Sequence, residues 1–170
     1  MTRTSVPSFP ERLRAASSSA FHLEMRDSYT PSDPTYLSWT RGEQVDALDA
    51  YGPWVELVSE AVSRGITVRR ARIVSEPVTA YIRFEHSVTH MNLAAGEEVR
   101  WLPRRQASDI ALPGNDFWLL DGALVRFGHF SGDGEVLSEE WTEDPAVAKL
   151  CDTAFASVWE RGIPHAEYKV

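Results

Sequence analysis

Between Ile66 and Asp121, arginines and carboxylates are threaded through segments whose other residues suit strands or a buried helix. Arg69, Arg72, Glu76, Arg83, Glu85, Glu97, Arg100, Arg104, Asp116 and Asp121 are interleaved with Ile73, Val74, Tyr81, Ile82, Phe84, Val99, Trp101, Leu102, Phe117 and Trp118. Charged groups are costly to bury unless paired or bound to a ligand. Arginines on successive strands can present planar forks to a carboxylate or phosphate. The same residues can instead form a salt-bridge lattice that holds helix against sheet. On the binding reading, the candidate ligand residues are Arg72, Glu76, Arg83, Glu85, Arg100, Trp101, Arg104, Asp116 and Trp118. On a catalytic reading, Asp116, Glu85 or His165 would act as acid or base.

Other chemistry is weakly signalled. His86 and His90 stand four apart beside Glu85, a spacing that can share a metal on one helical face. The order is not His-Glu-x-x-His and no third ligand is evident, so no metal site is assigned. Cys151 falls on an apolar helical stripe, where a buried inert thiol is expected. There is no P-loop, GxGxxG or GxSxG, so no cofactor and no catalytic residue is assigned.

These residues need elements to position them. Met1–Ser8 is expected to be a flexible end, and residues 9–170 a single α/β (or α+β) domain with a central mixed sheet of five to seven strands flanked by helices. A short helix is expected over Phe9–Ser19, with Pro10 in its first turn. Ala20–Met25 alternates weakly as a strand, and Asp27–Pro34 is loop. Tyr36–Tyr51 is ambiguous, with helix in its second half. Pro53–Arg64 carries Trp54, Leu57, Val58, Ala61 and Val62 on one face and ends at Gly65. Ile66–Val74 reads as a strand. Ser75-Glu76-Pro77 reads as the entry of a helix running to about Leu93. Gly96 ends it, Glu98–Leu102 is a strand, and Pro103–Asn115 a polar loop. Asp116–Leu120 and Ala123–Phe130 are strands joined by a two-residue Asp121-Gly122 turn. A turn over Ser131–Gly134 leads to a strand over Glu135–Trp141. Asp144-Pro145 opens a last helix with Val147, Leu150, Cys151, Ala154, Phe155, Val158 and Trp159 as its core face, closed by Gly162. The tail carries His165 and Tyr168.

Composition bounds the function classes. The chain has 170 residues, 43% hydrophobic and 25% charged, which suits one ordinary globular domain. A formal net charge of −8 argues against direct nucleic-acid binding and against an anionic membrane partner. A single cysteine excludes an internal disulfide and fits a reducing cytoplasm. The first residues lack the apolar core of a signal peptide, and no stretch has the roughly 20 apolar residues of a membrane helix. A cytoplasmic protein is expected, with the oligomeric state left open.

The segments LEMRDSY (Leu23–Tyr29), RARIVSEPVTAYIRFE (Arg70–Glu85), NLAAGEEVRWLPR (Asn92–Arg104), DFWLLD (Asp116–Asp121) and PHAEY (Pro164–Tyr168) resemble an actinobacterial family known as domain of unknown function 6879. The resemblance implies a Streptomyces-like source, a setting beside helix-turn-helix regulators, and kinship with their ligand- or partner-binding domains. It carries no catalytic residues. The succession of helix, RGITVRRARIV, helix, EEVRWLP and DFWLLDGALVRFG is also similar to one half of a phospholipase D-like fold. Its His-x-Lys pair would fall at Gly114 and Asp116, so that catalytic pair is missing. The function expected is a non-enzymatic regulatory domain that binds a small anionic ligand or a helix-turn-helix regulator. The alternative is an enzyme of undescribed chemistry, in specialised metabolism, using Asp116, Glu85 or His165.

Overall fold

A computed structural model describes residues 7–170. Met1–Val6 of the expected flexible end lies outside the described residues, whereas Ser8 is part of the fold. Its N–H and hydroxyl both donate to the Glu11 carboxylate (2.6 and 2.7 Å), tying the start of helix α1 (Phe9–Ala15). The order continues β1 (Ser19–Glu24), α2 (Pro34–Thr40), α3 (Ala47–Ala50), α4 (Gly52–Ser63), β2 (Thr67–Val74), α5 (Ala80–Val88), α6 (His90–Ala94) and β3 (Glu98–Pro103). Then come β4 (Phe117–Leu120), β5 (Leu124–Phe130), β6 (Val136–Thr142), α7 (Pro145–Arg161) and β7 (Ile163–Pro164).

The strands form one mixed sheet of seven, in the order β6-β5-β4-β1-β2-β3-β7. β1, β2 and β3 are parallel, and their connections run through helices, as parallel neighbours require. β4, β5 and β6 form an antiparallel meander against β1. The α/β class and the strand count are those expected from the sequence.

Alternation along each strand sorts side chains onto two covered faces. Leu23, Ala71, Ile73, Leu102, Phe117 and Leu119 pack under α7. Ala20, Val68, Trp118 and Leu120 face α1 and α4, while Val74, Val99 and Trp101 face α5 and the tail. On this second face the register aligns Trp118, His22 and Arg70 across β4, β1 and β2. One step further, Glu24, Arg72 and Trp101 align across β1, β2 and β3. Four of these six side chains are charged or ionisable, yet they occupy the middle of the sheet.

Several boundaries differ from the sequence expectation. α5 starts at Ala80 rather than at Ser75. Asp27 engages both the N–H and the hydroxyl of Ser75 (2.7 and 2.6 Å), and Thr79 caps the helix instead, accepting from the N–H of Ile82. The helix then breaks at Thr89, whose hydroxyl donates to the Glu85 carbonyl at 2.6 Å and accepts from Arg72. The first half of 36–51 is helical as well, because Asp33 caps α2 with Pro34 in its first turn. The β4–β5 turn includes Ala123, since Leu120 pairs with Leu124. Leu150 is exposed rather than core. It lies about 100° round α7 from Cys151, beyond the edge of the buried stripe that Ala154 marks. Among the described residues, no helix is long and apolar enough to cross a membrane.

Candidate functional site

β1 and β2 lay four polar side chains side by side on one face: His22, Glu24, Arg70 and Arg72. With this face turned inward, each charge needs a partner. Arg70 donates from Nε to Glu97 Oε1 (2.7 Å) and from Nη1 to Glu24. Arg72 donates from Nε to Glu24 Oε2 (2.6 Å) and from Nη1 to Thr89 Oγ1 (2.6 Å), and its Nη2 lies 3.3 Å from Glu85 Oε1. Asn92 Nδ2 donates to Glu97 Oε2 at 2.6 Å. The flat faces of the guanidinium groups are covered by rings: Arg72 lies 4.8 Å from the Trp101 centroid, and Arg70 5.5 Å from Trp54 and 5.6 Å from Trp118.

Above this network is a cavity of about 380 Å3. Its floor is His22, Glu24, Arg70, Arg72 and Trp118 from the sheet. Glu85, Val88, Met91 and Asn92 come from α5 and α6, and Trp54 from α4. Tyr29, Tyr51, Tyr81 and Phe84 add aromatic walls. The described residues contain five buried side-chain polar atoms without a hydrogen-bond partner. Four of them, His22 Nδ1, Trp54 Nε1, Glu85 Oε2 and Asn92 Oδ1, belong to residues lining this cavity. Native folds leave few such atoms unpaired, so their concentration at one place requires a reason.

The electrostatics follow from burial. Desolvation alone would raise Glu24, but Arg72 and Arg70 overcome it and hold the carboxyl well below the usual range. Glu85 is less well compensated: burial, helped by the charge on Glu24 and opposed by Arg72, pushes it up to about 8. Burial and the nearby Arg70 hold His22 well below its ordinary value, so it is neutral at pH 7. The ring of His22 stacks on Trp118 at 4.3 Å.

Of the nine residues singled out in the sequence, Arg72, Glu85 and Trp118 line the cavity, and Trp101 supports Arg72 from beneath. The others lie elsewhere. Arg100 is on the α7 face, donating to the Trp159 carbonyl at 2.8 Å with its guanidinium over the Trp159 ring. Arg83 is exposed and donates to the Val78 carbonyl. Arg104 bridges Ser75, Met25 and Ile73, and Glu76 accepts from the Tyr168 hydroxyl. Asp116 is buried beside the cavity and accepts from the Met25 N–H (3.0 Å) and from the hydroxyl of Tyr29. Burial pushes its carboxyl up to about 6. His165 sits apart, accepting from Trp101 Nε1 at 3.1 Å, and is lowered to about 4 by burial and by His86. Sequence reading missed His22, Glu24, Arg70, Tyr29, Trp54 and Asn92. The one signal that could have found some of them was the matching polar alternation of His22-x-Glu24 and Arg70-x-Arg72.

The remaining sequence candidates have structural employment. His86 Nε2 meets the Tyr168 carbonyl (3.1 Å) and His90 Nδ1 the Ser87 carbonyl (3.0 Å). Among the described residues, no three His, Cys, Asp or Glu side chains are grouped as a metal ion would need. Cys151 is buried, and its thiol is pushed up to about 11 by desolvation, which keeps it protonated and unreactive. Asp121, with φ +52°, accepts from the N–H groups of Ser17, Ser18 and Ser19 and so fastens the start of β1 to the β4–β5 turn.

The fold is similar to that of Nuc from Salmonella typhimurium, a phospholipase D family member. The TM-score is 0.53 at 13% identity, over 95% of this chain and 88% of that one. A lower similarity, TM-score 0.46 at 14% identity, links 90% of this chain to 47% of TrmBL2, an archaeal chromatin protein with a novel mode of DNA binding. No curated protein matches the sequence. Residues 7–170 match the family described as "Domain of unknown function (DUF6879)", and the chain belongs to that family.

Proposed function

We propose that this chain is a non-catalytic ligand-binding domain of a regulatory kind, which takes a small molecule into the cavity between the sheet and helices α4–α6. The observation that carries this reading is the set of four buried polar atoms without hydrogen-bond partners in residues that line the cavity. Each such atom left unpaired costs about 1–3 kcal/mol, so a molecule that satisfies them binds with that gain. A cavity of about 380 Å3 lies within the range of small-molecule sites, and its mix of rings with a few convergent polar groups is typical of them. The helix-turn-helix regulator expected from the sequence resemblance is, in this proposal, the protein that reads the ligand-bound state.

A thermal-shift screen of a metabolite library against the wild type and Val88→Trp tests the reading, since the larger side chain fills the cavity from α5. A compound that raises the Tm of the wild type and not of the folded variant supports it. A blank screen, with Trp54 and Trp118 fluorescence unmoved by every compound, refutes it.

The enzymatic alternative draws on a different observation. Glu85 and Asp116 are both raised toward neutrality, and Asp116 is bonded to Tyr29 on the cavity wall, an acid–base arrangement of the kind active sites use. Mass spectrometry of each bound compound after overnight incubation separates the readings, because an enzyme converts its ligand and a binding domain returns it unchanged.

A further inference from the structure

Resting on the ligand-binding reading, we infer that the ligand of this cleft is a compact organic cation. It bears an ammonium or guanidinium group that donates N–H bonds to Glu85 Oε2 and Asn92 Oδ1. Charge balance is the first ground. Once Glu85 is ionised, three buried carboxylates, Glu24, Glu85 and Glu97, face two buried guanidinium groups, Arg70 and Arg72. Each of the three side-chain nitrogens of Arg72 already has a partner in Glu24, Thr89 or Glu85, so an anion would meet carboxylates rather than open donors.

The free atoms supply the second ground. Glu85 spends Oε1 on Arg72 and leaves Oε2 buried without a hydrogen-bond partner, in a residue that lines the cavity. Asn92 must turn its Nδ2 to the Glu97 carboxylate, which fixes the amide so that Oδ1 is the atom left over. With Glu85 ionised both are acceptors, and both residues are more than nine-tenths buried. The walls are the third ground. Rings of Trp54, Trp118, Tyr81 and Phe84 line the same space, and aromatic faces attract desolvated cations.

Binding of such a cation is linked to pH. Glu85 is faced by Arg70 and Arg72 from β2, by His22 and Glu24 from β1, and by Tyr29, Asp33, Tyr51 and Asp116 from the neighbouring segments, with Tyr81 on its own helix. His22 stays neutral, and Asp116 titrates lower, at about 6. With Glu85 protonated up to about 8, the cation meets its full counter-charge only as Glu85 ionises. Affinity therefore rises about tenfold per pH unit below that value, roughly 50-fold from pH 6 to pH 8, with release of about one proton on binding at pH 7.

Three isosteres probe this directly: benzamidine, benzamide and benzoate, which are cationic, neutral and anionic throughout that range. Titration is followed by protein NMR and tryptophan fluorescence. Benzamidine is expected to bind at least tenfold tighter than either partner, with the stated pH rise, and Glu85→Gln is expected to weaken it about tenfold and flatten the pH profile. Calorimetry of the wild type in buffers of different ionisation enthalpy reads the released proton without any variant. Equal or tighter binding of benzamide or benzoate in the cleft overturns the cation and leaves the ligand-binding reading standing. Failure of all three overturns the cation as well, and the broader reading falls with it only if the library screen is also blank.

Discussion

Removing Arg70 separates a buried ionic network from an incidental surface lattice. Its guanidinium joins Glu97, whose side chain is fully shielded from solvent, to Glu24, and it lies between the rings of Trp54 and Trp118. Arg70→Met keeps most of the volume and removes the charge. Glu24 retains Arg72, so the uncompensated group is Glu97, which keeps only the Asn92 amide. Breaking a buried pair in this way costs about 3–5 kcal/mol, against a total of about 5–15 kcal/mol for a typical domain. With a urea slope of about 2 kcal/mol/M, the midpoint falls by about 2 M. The double variant Arg70→Met/Glu97→Gln removes the stranded charge and keeps an acceptor for Asn92, so it recovers about 2 kcal/mol. Equilibrium urea unfolding monitored by tryptophan fluorescence measures both. A cost below about 1 kcal/mol, the value of an exposed pair, or a double variant no more stable than the single, refutes the reasoning.

Two further outcomes test how the site is held. Asp121→Ala, which removes the acceptor for three backbone N–H groups, should lower stability by about 1–2 kcal/mol, the range of a lost helix cap, with Asp121→Asn losing less; urea midpoints decide. Burial raises Asp121 but its hydrogen bonds to Ser19, Ser17 and Ser18 outweigh that and lower it to about 2, so this contribution is present above the unfolded value and fades as pH falls through 2. Gly96→Ala and Gly65→Ala both place a Cβ at φ +89°, but only the first drives it to 2.9 Å from Val62 Cγ1. Both should lose about 1–2 kcal/mol and Gly96→Ala more, with Val62→Ala relieving only the Gly96 variant in thermal unfolding.

The parts of the fold that were legible are those whose pattern was apolar. β2, β3 and α7 declare themselves through β-branched runs, the Asp144-Pro145 entry and a stripe at helical spacing. β1 was legible only weakly, because its cavity face carries His22 and Glu24 where a hydrophobic count expects core. The same inversion hid Arg70, which reads as the solvent side of a strand and is buried. Glu97 stood out only as one charge among many: it follows Gly96 at a strand entrance, and only the return of β3 beside β2 carries it under Arg70. Strand parity separates two of the candidates. Arg100 and Trp101 are adjacent in β3 and point to opposite faces, so no single site could hold both. Arg83, Arg104 and Glu76 carry the right chemistry on elements whose placement depends on tertiary contacts, and no local pattern distinguishes them from Arg72.

A structural lattice and a binding site were alternatives in the sequence, and in the proposed reading the lattice supports the site. Glu24 accepts from both arginines, Glu97 fixes Arg70 and orients the Asn92 amide, and Thr89 holds Arg72 from the break between α5 and α6. With those partners assigned, little rotational freedom is left to any of them. Glu85 Oε2 and Asn92 Oδ1 are the atoms left over once the network has closed. Groups held by fully bonded neighbours on strands and helices are positioned more tightly than groups on loops. An all-apolar floor would serve stability as well or better. What it could not supply is an unpaired carboxyl oxygen and an unpaired amide oxygen in residues that line an aromatic cavity.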